Sequence, residues 1–262
     1  GLAIIEELGE EQQKTGKIIV YTSADSVLQI AAHEEVVSLD ELYKICTIAR
    51  ELLTGIHGVG RVIARPFLGE AGAYYRTENR KDFSLMPPAG GLLQRAREKS
   101  LAVFSVGKIY DIFAGKDISQ SIAAHNNRES IEGMKKALSQ CQEGLIFVNL
   151  VDFDMLYGHR NDSSGYAQAL EAVDKSLGEI LPLLKDDDLL FITSDHGNDP
   201  TTQSTDHNRE YALLLAYGKK IKAVDLGVRK SFADLGATAA EYLDLENLSA
   251  GESFLQMIID NN

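Results

Sequence analysis

Cysteine is nearly absent from this chain of 262 residues, which contains only Cys46 and Cys141. Two cysteines cannot form the dense disulfide framework of small secreted domains, so the sequence indicates a reduced, intracellular protein. Long apolar runs are also missing, since the longest, at 145–151, falls far short of the roughly 20 residues that a membrane helix needs. No basic segment followed by an apolar one opens the chain, so no signal peptide is predicted. We therefore expect a cytoplasmic protein with no membrane partner.

Positive charge is in short supply, with 26 Lys and Arg against 39 Asp and Glu and a net charge of −13. A surface with this field repels nucleic acid and anionic membranes, so neither is expected as a partner. Any phosphate group on a substrate would have to be held by local positive charge or by a metal ion. The 44% hydrophobic and 25% charged residues are ordinary globular values, which argues against disorder.

Apolar segments alternate with amphipathic ones along most of the chain. Strands are predicted at 18–21, 61–65, 101–106, 145–151, 189–193 and 211–216, with Pro66 ending the second. Helices are predicted before and between them, one starting at the capping box Ser38–Glu41. This alternation favours an α/β fold with a mostly parallel sheet covered by helices on both faces. A Gly-, Arg- and Pro-rich stretch ending near Pro87-Pro88 separates two predicted domains, 1–87 and 88–262.

Acidic and imidazole side chains follow two of the predicted strands. Asp154 and His159 come after 145–151, Asp195 and His196 come directly after 189–193, and His207 lies on the polar loop beyond. Ligands of open α/β sheets gather at the carboxyl ends of the strands, so neighbouring strands would bring these groups together. Carboxylate and imidazole suit Zn, Mn, Fe or Mg. Two acids and three imidazoles exceed one tetrahedral site, which indicates two metal ions of the kind that clamp a phosphoryl transfer.

Simpler interpretations exist for each of these residues taken alone. An Asp-His pair at a strand end usually belongs to a turn and caps a helix. The prediction of a metal site therefore depends on whether the segments after 145–151 and after 189–193, with the loop of His207, lie close together. Asp152 precedes Asp154 on the same strand face by period-two alternation, and we interpret it as a deeper, structural acid. Arg61 could be a solvated charge at a strand end. Lys108 follows another strand, and both cations suit phosphate.

Three stretches together resemble the phosphopentomutases of the alkaline phosphatase superfamily. They are Thr193–Pro200 continued by Thr205–Glu210, Asn149–Asp154 with Gly158–Arg160, and Tyr21–Glu35. The last one separates this family from relatives such as the metal-dependent phosphoglycerate mutases. The resemblance runs along the whole chain and implies an alkaline phosphatase-like core, here incomplete, preceded by a smaller α/β cap domain at 1–87.

The resemblance implies an isomerase that interconverts ribose 1-phosphate and ribose 5-phosphate, and their 2-deoxy forms, through a phosphothreonine and a bisphosphate intermediate. It implies two Mn²⁺ ions, or other divalent metals, and a sugar bisphosphate as activator. Asp154, His159 and His207 would hold one ion, and Asp195 and His196 would belong to the other. The candidate residues for binding the pentose phosphate are Ser23, Asp25, Arg61, the main chain near Ile63, and Lys108.

The opening segment of the family has no counterpart in this sequence. That segment carries the threonine nucleophile and one Asp metal ligand, and we do not assign the nucleophile to Thr22, Thr193 or Thr205. Because the chain also starts without Met in a helix-like pattern, we expect it to be part of a longer protein and to be inactive alone. Two other hypotheses stay open: another phosphatase or phosphoglycerate mutase of the superfamily, and a catalytically silent fragment that binds metal or sugar phosphate.

Overall fold

The computed structural model describes residues 1–22 and 26–260. The chain divides into two compact units, the first made of Gly1–Pro87 with Asp111–Ala114 and the second of Pro88–Tyr110 with Gly115–Asn262. Both units combine helices with sheets, which confirms the predicted α/β class. The role of the first unit as a cap domain stays a prediction. In the described part of the chain, no helix has the length and apolarity that crossing a bilayer would require.

The first unit is built on a five-stranded mixed sheet. Its helices and strands are α1 (Leu2–Thr15), β1 (Ile19–Thr22), β2 (Val27–His33), α2 (Leu39–Leu52), β3 (Arg61–Leu68), β4 (Tyr75–Arg76) and β5 (Lys81–Ser84). Strand β3 is parallel to β2 and antiparallel to β4 and β5, while β1 pairs with the far side of β2. Alternate residues of β2 face opposite sides, so Ile30 and Ala32 pack against α2 while Ala31 packs towards α1. Because β2 is buried on both faces, its sequence does not alternate between apolar and polar residues.

Two local features of this unit bear on the predicted elements. The predicted start of α2 is confirmed, because the Ser38 hydroxyl caps the helix by accepting a hydrogen bond from the Glu41 N–H at 3.3 Å. The predicted end of β3 at Pro66 is wrong, since the strand continues to Leu68. The Pro66 carbonyl accepts from the Thr77 N–H, so its nitrogen faces the same edge, between the end of β4 and the start of β5. No strand partner needs an amide hydrogen at that point.

The second unit contains two small sheets where a single one was predicted. The remaining elements are α3 (Leu92–Glu98), β6 (Ala102–Val106), α4 (Ile109–Ile112), β7 (Gln120–Ile122), α5 (Asn127–Gln140), β8 (Gly144–Val148), α6 (Ser163–Ile180), β9 (Leu189–Thr193), β10 (Leu214–Gly218), α7 (Ala233–Tyr242) and α8 (Leu255–Ile258). Strands β7, β6 and β8 form a parallel sheet in that order, whereas β9 and β10 form an antiparallel pair. The residues between β9 and β10 form no helix, and an antiparallel pair needs no helical crossover.

Strands β8 and β9, which precede the two acidic loops, belong to different sheets, so the loops are not brought together by direct pairing of these strands. Among the described strands, β8 pairs only with β6 and β9 pairs only with β10. Large apolar side chains stay exposed on these elements, with Phe147 of β8 39% exposed and Leu215 of β10 57% exposed. The loops at the ends of β8 and β9 nevertheless meet, and they form the site described next.

Candidate metal centre

The end of β8 leads into a tight turn that carries the first acidic group. Residues Phe153–Tyr157 form a single π-helical turn, and Gly158–Arg160 form a 3-10 turn directly after it. Such π turns are frequent at functional sites. A Cβ atom on Gly158 would overlap the side chain of Asn198, so this glycine lets the loop after β9 approach closely. The two turns place the Asp154 Oδ1 atom 3.2 Å from the His159 Nε2 atom.

The loop after β9 brings the other two imidazoles together. Gly197 and Asn208 form an isolated antiparallel bridge, with the Asn208 N–H donating to the Gly197 carbonyl at 3.1 Å. A Cβ on Gly197 would lie 2.6 Å from the main-chain oxygens of Asn208 and Glu210, so the bridge requires glycine. Because His196 and His207 directly precede the two bridged residues, their rings stack with centroids 3.5 Å apart.

Three imidazole nitrogens converge on one carboxylate oxygen. The Nε2 atoms of His207, His159 and His196 lie 3.0, 3.2 and 4.0 Å from Asp154 Oδ1. The Nδ1 atom of His159 lies 2.5 Å from the Thr205 carbonyl oxygen, and that of His196 lies 3.1 Å from the Gly197 carbonyl oxygen. A carbonyl only accepts hydrogen bonds, so each of these Nδ1 atoms carries the hydrogen. In a neutral ring the Nε2 atom then has no hydrogen and presents a free lone pair.

This arrangement of acceptors fits a divalent cation. Bare Nε2 atoms and a carboxylate oxygen repel one another unless a positive charge lies between them. Metal-bound histidines usually donate their second ring N–H to a carbonyl or carboxylate, as His159 does here. Asp154, His159 and His207 each offer one ligand atom, and these atoms lie within 4.8 Å of one another. A single ion can therefore contact all three side chains.

Asp195 and Asp152 stand apart from this group of three. Asp195 is 82% exposed, and its Oδ1 atom lies 3.5 Å from His196 Nε2, so Asp195 and His196 form a second, smaller pair beside the first group. Their assignment to a second ion stays a prediction. The predicted shared face of Asp152 and Asp154 is wrong: Asp152 has helical backbone angles, and residues two apart on a helical turn point in different directions.

Lys108, a candidate phosphate ligand, lies beside the turn that carries Asp154, in the same unit. It follows Gly107, whose φ of +74° turns the chain at the end of β6. The Lys108 Nζ atom lies 2.7 Å from the sulfur of Met155, which adjoins Asp154 in sequence. The ammonium group is therefore close to the turn that carries the carboxylate. A role for it in substrate binding stays a prediction.

The other candidate substrate residues belong to the first unit. Ser23 and Asp25 lie outside the described residues. The Arg61 Nη1 atom lies 3.5 Å from Asp82 Oδ2 on the adjacent β5, and Ile63 is 3% exposed on a strand paired on both sides. Contacts from Arg61 and from the Ile63 main chain to a substrate stay predictions.

A group of arginines in this unit was not predicted from the sequence. Burial, helped by the nearby charges of Arg80 and Arg76, lowers the pKa of Arg65. The Arg76 Nη2 atom donates to the Tyr21 hydroxyl at 3.2 Å, while its buried Nε atom has no hydrogen-bond partner among the described residues. Several guanidinium groups held so close together suit an anion. The sequence shows a Gly-, Arg- and Pro-rich stretch at 69–90, but only the folded sheet brings its arginines close to Arg65.

Comparisons with known proteins agree on one family. Residues 97–247 match the model of the Metalloenzyme superfamily. The chain is 56% identical over 260 residues to the phosphopentomutase of Clostridium novyi (strain NT), covering 99% of this chain and 67% of the relative. It is 58% identical over 260 residues to that of Desulfitobacterium hafniense (strain DCB-2), with the same coverage. It is 56% identical over 259 residues to the phosphopentomutase of Dictyoglomus turgidum, covering 98% of this chain and 66% of the relative. The chain thus spans about two thirds of these relatives and, as its motifs indicated, belongs to the phosphopentomutase family.

Proposed function

We propose that this chain carries the metal-binding part of a phosphopentomutase, which moves a phosphoryl group between O1 and O5 of ribose and 2-deoxyribose. The observation that carries the proposal is the convergence of three imidazole Nε2 atoms on Asp154 Oδ1. Membership of the family supports the reaction and the pentose phosphate substrate. The alternative of another phosphatase or phosphoglycerate mutase is not favoured, because phosphopentomutases match along 99% of the chain.

The proposed cofactor is a pair of Mn²⁺ ions, one on Asp154, His159 and His207 and the other on Asp195 and His196 with ligands from elsewhere. When bound, such ions neutralise phosphate oxygens and the charge that develops on the alcohol oxygen. The chain's own part is to orient the ligands. The Thr205 carbonyl holds the His159 ring by its Nδ1 hydrogen, and the Gly197–Asn208 bridge holds His196 beside His207.

The proposed substrate contacts come from cationic and polar groups. Lys108 supplies a point charge for a phosphate oxygen, and Arg61 supplies a planar pair of donors. Ser23, Asp25 and the main chain near Ile63 would bind the sugar hydroxyl groups. In the same unit as Arg61, the guanidinium of Arg76 is also suited to a phosphate, because its buried Nε–H has no acceptor among the described residues.

We further propose that the 262 residues alone do not turn over substrate. The Thr193 hydroxyl donates to the Leu213 carbonyl at 2.8 Å, which supports the view that it is not the nucleophile. A sugar bisphosphate activator would load the nucleophile of the complete enzyme. The competing hypothesis of a silent binding fragment shares this expectation, so activity must be measured on the natural protein.

Two measurements test the proposal. The natural protein, purified from its source, is incubated with Mn²⁺, a ribose bisphosphate primer and ribose 5-phosphate, and ³¹P NMR follows ribose 1-phosphate. We expect interconversion, with no reaction on 3-phosphoglycerate; release of inorganic phosphate alone would instead indicate a phosphatase. The 262-residue chain is assayed in parallel and should bind Mn²⁺ without turnover. Normal turnover by this chain would place the nucleophile within it, and absence of Mn²⁺ binding would refute the metal centre.

A further inference from the structure

The start of the metal-binding turn is tied to the first turn of α5 by two hydrogen bonds that run in opposite directions. The Asn127 N–H donates to Asp152 Oδ2 at 2.8 Å, and the Asp152 N–H donates to Asn127 Oδ1 at 3.0 Å. Each side chain therefore satisfies the main-chain amide of the other residue. Asn127 is only 8% exposed, so this reciprocal pair is largely shielded from water. We call it the Asn127–Asp152 clasp.

A further bond extends the attachment of α5 to the same segment. Ser130, one turn along from Asn127 and on the same side of the helix, is fully buried. Its hydroxyl donates to the Asn149 carbonyl at 2.9 Å. The segment from Asn149 to Asp152 joins β8 to the π turn of Asp154, and α5 thus holds it at both ends. The start of α5 is itself fixed, because the Asn126 side chain caps it by accepting from the Glu129 N–H at 2.9 Å.

We propose that the Asn127–Asp152 clasp positions Asp154 and His159 for the metal ion, and that Asp152 is a positioning residue rather than a ligand. The inference rests on the proposed metal centre. Asp152 Oδ2 is engaged by α5, and no Asp152 oxygen belongs to the group of ligand atoms that lie within 4.8 Å of one another. Asp154 lies two residues further along a helical turn and points elsewhere.

The clasp matters because the ligands lie on short turns rather than on long elements. A site functions when its groups are held to within roughly half an ångström, and turns need outside partners for that precision. Loss of a group that orients a ligand typically weakens metal binding about 10- to 100-fold. The two bonds of the clasp fix the entry of the turn, and the Thr205 carbonyl fixes the His159 ring at its exit.

The test measures Mn²⁺ affinity of the 262-residue chain by EPR titration of the free ion. Asn127→Ala removes the acceptor for the Asp152 N–H, and Asp152→Ala removes the acceptor for the Asn127 N–H. Each should raise the Mn²⁺ dissociation constant about 10- to 100-fold. Asp152→Asn keeps an oxygen that can accept from Asn127 and should bind Mn²⁺ within about twofold of the original chain, as expected when an orienting group is preserved.

Asp152→Asn discriminates between the two roles without disturbing the fold. A true ligand would lose its charge in this variant, so Mn²⁺ binding as weak as in Asp152→Ala would overturn the proposal. Asn126→Ala is the matched control: it removes the helix cap at about 1 kcal/mol of stability without touching Asp152. It should lower the melting temperature and leave Mn²⁺ affinity unchanged.

The remaining outcomes are equally decisive. If Asn126→Ala weakened Mn²⁺ binding as much as Asn127→Ala, helix stability rather than the clasp would be responsible, and the proposal would be wrong. Unchanged affinity in both alanine variants of the clasp would also refute it, while leaving the proposed function intact. Failure of the unaltered chain to bind Mn²⁺ would remove the metal centre and the clasp's role together.

Discussion

Asp154 is the residue on which the candidate centre depends, because its Oδ1 atom is the point towards which all three imidazoles are directed. Asp154→Asn should weaken Mn²⁺ binding by more than the roughly 100-fold that loss of an orienting partner costs, since it removes a ligand charge. Isothermal titration calorimetry measures the effect. Asp195→Asn is the matched control, and it should leave the tighter Mn²⁺ site unaltered; equal losses in both variants would contradict the division into two sites.

A second residue-scale prediction concerns acid stability and the buried Asp234. The Glu252 N–H donates to its Oδ1 atom at 2.9 Å and the Arg229 Nε–H to its Oδ2 atom at 3.1 Å. The hydrogen bond from Glu252, aided by the Arg229 charge, lowers the pKa of Asp234. A lowered folded-state pKa contributes stability that is complete above the unfolded value of about 3.9 and is lost as pH falls towards the folded value.

Asp234→Asn should therefore cost roughly 2–4 kcal/mol of unfolding free energy at pH 7, since it leaves the partly buried guanidinium of Arg229 without its counter-charge. The difference in unfolding free energy between this variant and the unaltered chain should become smaller as pH falls from about 5 to about 3. Urea unfolding at several pH values measures it. Asp225→Asn, on an exposed residue, should show no such pH-dependent difference. If this difference in unfolding free energy instead grew on acidification, the result would contradict a lowered folded-state pKa for Asp234.

At the scale of elements, the loop between β9 and β10 is held in shape by main-chain contacts at Gly197. Gly197→Ala would place a Cβ against the main chain of Asn208 and Glu210, which cannot swing away as a side chain could. We expect a loss of about 1–3 kcal/mol in stability and weaker Mn²⁺ binding, because His196 and His207 separate. Gly178→Ala on α6 is the control: with nothing within 4 Å of its Cβ, it should stabilise the chain by about 0.5–1 kcal/mol.

Individual helices and strands were predicted from the sequence more reliably than the way in which the strands pair. The N-cap of α2 and the apolar runs of β6, β8 and β9 are encoded locally, in side chains and their spacing. Pro66 was misjudged because its tolerance depends on which strands lie beside it, and the antiparallel pairing of β9 depends on a loop that contains no helix. The gathering of Asp154, His159 and His207 followed from strand-end chemistry. The roles proposed for Asn127 and Arg76 depend on tertiary contacts that no local pattern contains.

At the scale of the whole molecule, the strands of the second unit leave edges unpaired. Among the described strands β8 and β9 each pair on one side only, and Phe147 on β8 is partly exposed. Open strand edges beside apolar side chains are templates for association. We expect the 262-residue chain to self-associate with rising concentration, measurable by light scattering coupled to gel filtration.

The association should depend on this part of the surface. Phe147→Lys places a charge beside the open edge and should shift the chain towards the monomer. Leu52→Lys provides the comparison, because Leu52 is 73% exposed on α2 of the other unit and lies on no open strand edge. It should leave the association unchanged. Equal effects of the two substitutions would show that general surface hydrophobicity, and not the strand edge, causes the association.

The bridge between Gly197 and Asn208 closes residues 198–207 into a small ring of main chain, with His196 just before it and His207 at its end. One closed ring therefore carries His207, a proposed ligand of the first ion, together with His196, a proposed ligand of the second. We expect that opening this single main-chain hydrogen bond would loosen ligands of both proposed ions at once.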